Sequence, residues 1–172
     1  MKSAGLTAPL TVALFVGACG SPSSPSGAVD LRGSWGSARA WRWNEVAIYD
    51  QGLTGGPSSR TSECSATIDI TAQEANSFQG RYVIDCASTR YAGALTDGRT
   101  SSDNQISFRF VPESGGDPGF PAAWSYPSCQ LDDPQRYQGQ VRDSALNVTR
   151  TVTVGCPQGR LLVSSSFGGT HR

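Results

Sequence analysis

The sequence predicts an all-β domain, an antiparallel up-and-down β-barrel of about eight strands, with a β-sandwich as the alternative arrangement. Three observations point there. Apolar and polar residues alternate with period two in one run after another, the pattern of strands with a single buried face. Twenty glycines, ten prolines and frequent Ser and Thr suit many short strands and turns. No tandem repeat and no amphipathic stretch longer than two helical turns interrupts the pattern.

The clearest element is the stretch 64–86. Cys64, Ala66, Ile68, Ile70 and Ala72 fall on one side, and Ser65, Thr67, Asp69, Thr71 and Gln73 on the other. After Glu74-Ala75-Asn76-Ser77 the alternation resumes with Phe78, Gly80, Tyr82, Ile84 and Cys86. Two such runs joined by a short turn form a half-buried hairpin, and Asn76 suits the left-handed backbone such turns often need. Folding about Ala75 sets Cys64 beside Cys86 on one face, where a cross-strand disulfide can form.

The remaining strands follow in order. Residues 31–36 form one strand and 40–49 another, the latter alternating through Trp41, Trp43, Val46 and Ile48 with a slip at Asn44-Glu45. Residues 51–62 are loop, marked by Gly52, Gly55-Gly56-Pro57 and serines. Beyond the hairpin, 90–96 is a strand carrying Tyr91, Gly93 and Leu95 on one side. A turn over 97–104 leads to 105–111, with Ile106, Phe108 and Phe110 inward. Tyr137, Gly139 and Val141 mark another strand, and Asp143-Ser144 turns it into a row of Leu146, Val148, Val152, Val154 and Cys156. The last strand is 161–167. Segment 112–133 breaks the rhythm with glycines and prolines, yet carries Phe120, Trp124, Tyr126 and Cys129. Loops of this length are commonly functional. It reads as an ordered flap, either a lid over a barrel mouth or a cover for one end of the core.

The amino terminus is an address. Met1-Lys2 precedes an apolar run over 6–16, too short to span a bilayer and the size of a signal-peptide core. Val16-Gly17-Ala18-Cys19 resembles the bacterial lipobox. The resemblance implies cleavage before Cys19, diacylglycerol on its sulfur and an acyl group such as palmitate on the new amino terminus. The alternative is an ordinary signal peptide cut near Ala18. Acyl chains contribute about 0.8 kcal/mol per buried methylene, so this lipid bilayer anchorage would be stable. Gly20 stands where an inner-membrane retention signal would carry Asp, which favours the outer membrane of the cell envelope. The chain thus divides into a signal peptide (1–18), a lipid-anchored Ser/Pro linker (19–28) and one β domain (29–172).

With Cys19 lipidated, Cys64, Cys86, Cys129 and Cys156 remain, the even number that two disulfides need in an exported chain. Three pairings exist. Hairpin geometry favours Cys64–Cys86, leaving Cys129–Cys156, each worth roughly 3–4 kcal/mol on the chain-entropy account. The rival four-cysteine metal site lacks any Cys-x-x-Cys pair, and His171 is the sole histidine, so neither metal nor cofactor is expected. Lys2 is the only lysine, and its removal leaves thirteen arginines against fourteen acids. Such a balance shows no basic footprint for nucleic acid.

Leu31-x-Gly33-x-Trp35, at the start of an exported all-β domain, is similar to the Gly-x-Trp opening of the calycin barrels, the lipocalins, avidin-like proteins and their bacterial lipoprotein relatives. Phe78-x-Gly80 and Tyr137-x-Gly139 fit the same style. The resemblance implies that Trp35 plugs the closed end of an eight-stranded barrel, with an arginine packed on its face. Arg172 is the first candidate for that contact and Arg150 the second. Arg150 stands in an otherwise apolar row, where an inward arginine needs a partner; a β-bulge turning it outward is the alternative. Thr96-Asp97-Gly98 stands where a lipocalin carries Thr-Asp-Tyr, and Gly36-Ser37 follows Trp35 where avidins place Asn. The resemblance therefore extends to the fold and the plug and names no ligand.

No reactive centre is visible. His171 lies at the terminus, no Gly-x-Ser-x-Gly or Ser-x-x-Lys occurs, and the carboxylate pair Asp132-Asp133 sits in a proline-flanked loop. A non-enzymatic role is expected. In one reading the barrel holds a small apolar or amphipathic ligand, lined by Tyr82, Tyr91, Phe108 and Phe110 with Trp41, Trp43 and Trp124 at the rim. In the other the same rings are plain core, and the domain is a structural or protein-interaction module, inhibitor-like in mode, with a filled barrel.

Overall fold

A computed structural model of the chain describes residues 29–49, 59–119, 130–131, 136–156 and 159–172. The expected signal peptide and linker, with Cys19, and Trp124, Asp132-Asp133 and Cys129, hence the Cys129–Cys156 pairing, lie outside the described residues. The strands are β1 (Gly33–Tyr49), β2 (Ser59–Glu74), β3 (Ser77–Asp85), β4 (Arg90–Thr100), β5 (Gln105–Ser114), β6 (Gln130–Leu131), β7 (Tyr137–Arg142), β8 (Ala145–Cys156) and β9 (Gly159–His171).

Eight of these close into an antiparallel barrel with up-and-down neighbours. Closure rests on β1, which pairs with β2 on one edge and with β9 on the other. Because the first and last strands pair, the alternation is that of a barrel, not a sandwich. The two-residue β6 pairs with the far end of β8, with Leu131 opposite Val154, in line with β7 on the same side of that strand.

The structure differs from the sequence reading in instructive ways. The two strands expected over 31–49 are one, and the slip falls between Ser37 and Trp41, not at Asn44-Glu45. Ser37 faces Ala66 while Trp41 faces Cys64, so β1 takes two extra residues there. A bulge of this kind bends a long strand and sharpens its twist, which helps a barrel close. Strand β4 runs on to Thr100 through Asp97-Gly98, where Asp97 takes φ +53° and a second bulge absorbs the expected turn. In the β2–β3 turn it is Ala75, not Asn76, that is left-handed, at φ +48°. The Asp143-Ser144 turn is as read, with both residues at positive φ, the backbone of a two-residue primed hairpin turn.

The interior is filled along much of its length by side chains of the wall. Trp41, Tyr82, Phe108, Phe110 and Tyr137 are all buried. Their rings meet at centroid separations from 3.9 Å (Tyr82–Phe110) to 6.1 Å (Trp41–Phe110), with Tyr137 touching Trp41, Phe108 and Phe110.

One end of the barrel is sealed. Leu31 is fully buried beneath Trp35, whose Nε1 donates to the Leu31 carbonyl at 2.7 Å. Gln73 straps this segment across the opening: its Oε1 accepts from Leu31 N (2.7 Å) and its Nε2 donates to Val29 O (2.8 Å). The turns at this end are also stitched to their neighbours, with Thr100 N donating to Asn76 O, Val141 N to Asn104 O and His171 N to Ser144 O.

Candidate functional site

The opposite end is built otherwise. Strand β5 pairs with β7 only from Gln105↔Gln140 to Phe108↔Tyr137, although its pairing with β4 continues to Ser114. Among the described residues the β5–β7 ladder has no rung beyond Phe108↔Tyr137. The chain after β5 reaches inward side chains of β7 and β8 at this end. Gly115 and Gly116, at φ +77° and +81°, turn it where side-chain-bearing residues would be strained. Asp117, Pro118 and Gly119 follow.

Buried at this end sits Arg150. Its register partner is Ser165 and the β8–β9 ladder is unbroken, so strand geometry holds the side chain inward. The guanidinium is 3% exposed and the Asp117 carboxylate 25%. Arg150 Nη1 and Nη2 donate to Asp117 at 3.0–3.1 Å in a two-pronged pair, and Asp117 Oδ1 also accepts from Gly119 N at 2.8 Å. The guanidinium lies over the Tyr137 ring, 5.0 Å from its centroid, and the Tyr137 hydroxyl shares a 3.0 Å hydrogen bond with Ser165 Oγ. Gly119 has no room for a side chain: a Cβ there would lie 2.6 Å from both Arg150 Nη2 and the Tyr137 hydroxyl.

Two donors in this cluster are unused. Among the described residues the buried Tyr82 hydroxyl and Arg150 Nε have no hydrogen-bond partner. Burial is the main force pushing the phenol of Tyr82 upward, aided by the Asp117 and Glu113 carboxylates and opposed by Arg150. Burial likewise raises Tyr137, against the opposing pull of Arg150. The cluster is thus a buried cation with an aromatic floor, two phenol groups and one carboxylate that reaches solvent. Chemically it suits holding a polar or anionic group at the top of an apolar column.

The structure brings several expected lining residues together here: Phe108 and Phe110 pack on Tyr137, and Tyr82 packs on Phe110. Trp41 is deep in this group and not at a rim, and Trp43 is buried on the same strand. Tyr91 is buried under Gly115, whose Cβ would meet its ring at 3.0 Å. Cys64 and Cys86 are disulfide-bonded, with Cα atoms 4.7 Å apart.

Neither arginine assigned to the plug meets Trp35 in this geometry. Arg150 lies over Tyr137, and Arg172 is exposed, with its backbone N donating to Ser34 O. The ring against Trp35 is that of His171, edge-on at 4.8 Å, with Nε2 3.0 Å from the Arg32 carbonyl oxygen. Strand β9 extends past Phe167, and this extension brings His171 opposite Trp35. Sequence reasoning missed Asp117, Ser165, Gln73 and the role of His171. Signals existed for the first two: Gly115-Gly116 ahead of a lone acid, and a polar Ser165 between inward Val163 and Phe167.

Among the described residues no three His, Cys, Asp or Glu side chains gather as a metal site requires. Concavities of about 630 and 770 Å³ occur, but their linings are mainly exposed residues of the outer wall and the sealed-end turns, such as Arg42, Gln138 and Asn147 for the first. No family model, curated protein or solved structure matches the chain.

Proposed function

We propose that the chain is a lipoprotein of the cell envelope, anchored through acylated Cys19, whose calycin-like barrel binds a small amphipathic molecule at the end marked by Arg150. One observation carries this reading: an almost fully buried guanidinium, fixed inward by its strand, pairs with a partly exposed carboxylate from outside the strands, in the field of the unpartnered Tyr82 hydroxyl. Desolvating a cation is costly, and a barrel needing only a solid core is served as well by apolar residues at such a position. The aromatic column below Arg150 leaves the ligand's polar group at the cluster and directs its apolar part toward the open end.

Native mass spectrometry of the full chain, released from its membrane by mild extraction, tests the proposal. A bound small amphiphile is expected, retained less in Arg150→Met. A second reading, a filled barrel acting as a structural or protein-interaction module, is favoured by the ring contacts through the interior. Bare protein in every preparation would decide for it. The anchor is tested separately: the amino-terminal peptide should begin at Cys19 and carry the mass of its acyl groups, and an unmodified Cys19 would contradict it.

A further inference from the structure

The ion pair at the open end is asymmetric, and the asymmetry says what kind of ligand fits. Arg150 cannot leave, because turning outward would require β8 to slip against β9 along a ladder that runs unbroken from Ala145↔Thr170 to Cys156↔Gly159. Its anion can leave. Asp117 is not on a barrel strand; it follows two left-handed glycines and retains access to solvent. A permanent guanidinium fork suits carboxylate or phosphate oxygens equally well. The site also holds donors that Asp117 does not use, Arg150 Nε and the Tyr82 hydroxyl.

We infer that the Asp117 carboxylate is a resident stand-in for a ligand's anionic headgroup, and that the site takes single-chain anionic amphiphiles, carboxylate or phosphate, by displacing it. Until a ligand arrives, Asp117 neutralises Arg150 and the 115–119 segment holds the carboxylate against it. A ligand headgroup takes the same guanidinium hydrogens, adds the unused donors, and returns the more exposed carboxylate to water. This rests on the amphiphile-binding reading above and adds to it a headgroup class and an internal competitor.

The test is a calorimetric titration of the full chain held in amphipol, with protein-free amphipol as blank, using octanoate, octyl phosphate and 1-octanol. In the wild type at least one anion is expected to bind about ten-fold or more tighter than octanol, a difference of about 1.4 kcal/mol. Preference for octanoate points to a carboxylate ligand and preference for octyl phosphate to a phosphate one; either supports the inference. Asp117→Asn removes the competitor and should tighten the preferred anion about another ten-fold while leaving octanol within about two-fold. Should Asp117→Asn fail to fold, Arg150→Met supplies the second arm: the anion preference must vanish there while octanol still binds. Equal affinity for all three compounds, an unchanged Asp117→Asn, or an anion preference surviving in Arg150→Met overturns the inference and leaves amphiphile binding standing. No uptake of any compound by any form overturns both.

Discussion

The two ends of this barrel solve opposite problems. At one end Leu31, Trp35 and His171 pack into a lid that Gln73 clamps from both sides, and each neighbouring turn donates or accepts a backbone hydrogen bond with the next. Every buried group named there has a partner. At the other end, among the described residues, the β5–β7 ladder has no rung past Phe108, a charged pair replaces apolar contact, and two buried donors are left over. Buried polar groups are normally satisfied, and a place where they are not marks either a defect or a site. The contrast teaches that the interior arginine belongs to the end held by a charged pair, not to the end closed by the Trp35 lid.

The largest effect expected lies at the sealed end. Trp35→Ala removes a buried ring that holds Leu31 and His171, and should cost about 3–5 kcal/mol in chemical denaturation. A loss below about 1 kcal/mol would mean the lid is ornamental to stability. At the open end Asp117→Ala strands a buried cation and should cost about 3 kcal/mol, somewhat under the full penalty of a broken buried pair because the carboxylate is partly exposed. Replacing the pair together, Asp117→Leu with Arg150→Met, should be neutral or stabilising by about 1–4 kcal/mol. If the double variant is as damaged as the single one, the pair is structural and the contrast between the ends weakens. Gln73→Ala leaves the buried Leu31 amide without its acceptor, for a loss of about 1–3 kcal/mol with no change in ligand uptake at the other end.

The smallest effect is a pH dependence confined to the aromatic column. Burial holds the Tyr82 and Tyr137 phenols well above their ordinary value of 10.0. The folded state keeps these protons longer than the unfolded chain does, so their contribution is whole below pH about 10 and falls as pH rises from there toward the raised values. Urea midpoints should decline above pH 10, with the tyrosinate absorbance of these two residues appearing only as the protein unfolds. Their early ionisation in a folded protein would show the column to be wetter than the structure makes it.

Much of the wall was legible because strand patterning is local. The alternation from Cys64 to Cys86 named the hairpin, its inward face and its disulfide, and the observed register, Ala66↔Ile84 and Ile68↔Tyr82, follows from it. The bulge at Ser37–Trp41 was not legible, since what demands it is the curvature of a closed barrel and not any residue of β1. Ala75 at positive φ is similar: the register of the two strands selects the turn backbone, and Asn76 has no say. The candidate site was half visible. An inward Arg150 in an apolar row announces the need for an anion, but Asp117 lies 33 residues away on a segment outside the ladder. Nothing in a linear pattern tells which acid folds back. His171 was hidden for the same reason, because its place opposite Trp35 depends on how far β9 continues.

Native-state hydrogen exchange of the full chain most directly tests the division of the barrel into a sealed end and an opening one. Amides of Leu31, Thr100, Val141 and His171, all bonded at the sealed end, are expected to exchange only through global unfolding. Amides of β5 above Phe108 should exchange through a local opening of lower free energy, and octanoate or octyl phosphate should slow that second group alone. Uniform protection at both ends, or faster exchange at Leu31 and His171 than at 109–114, would contradict the account.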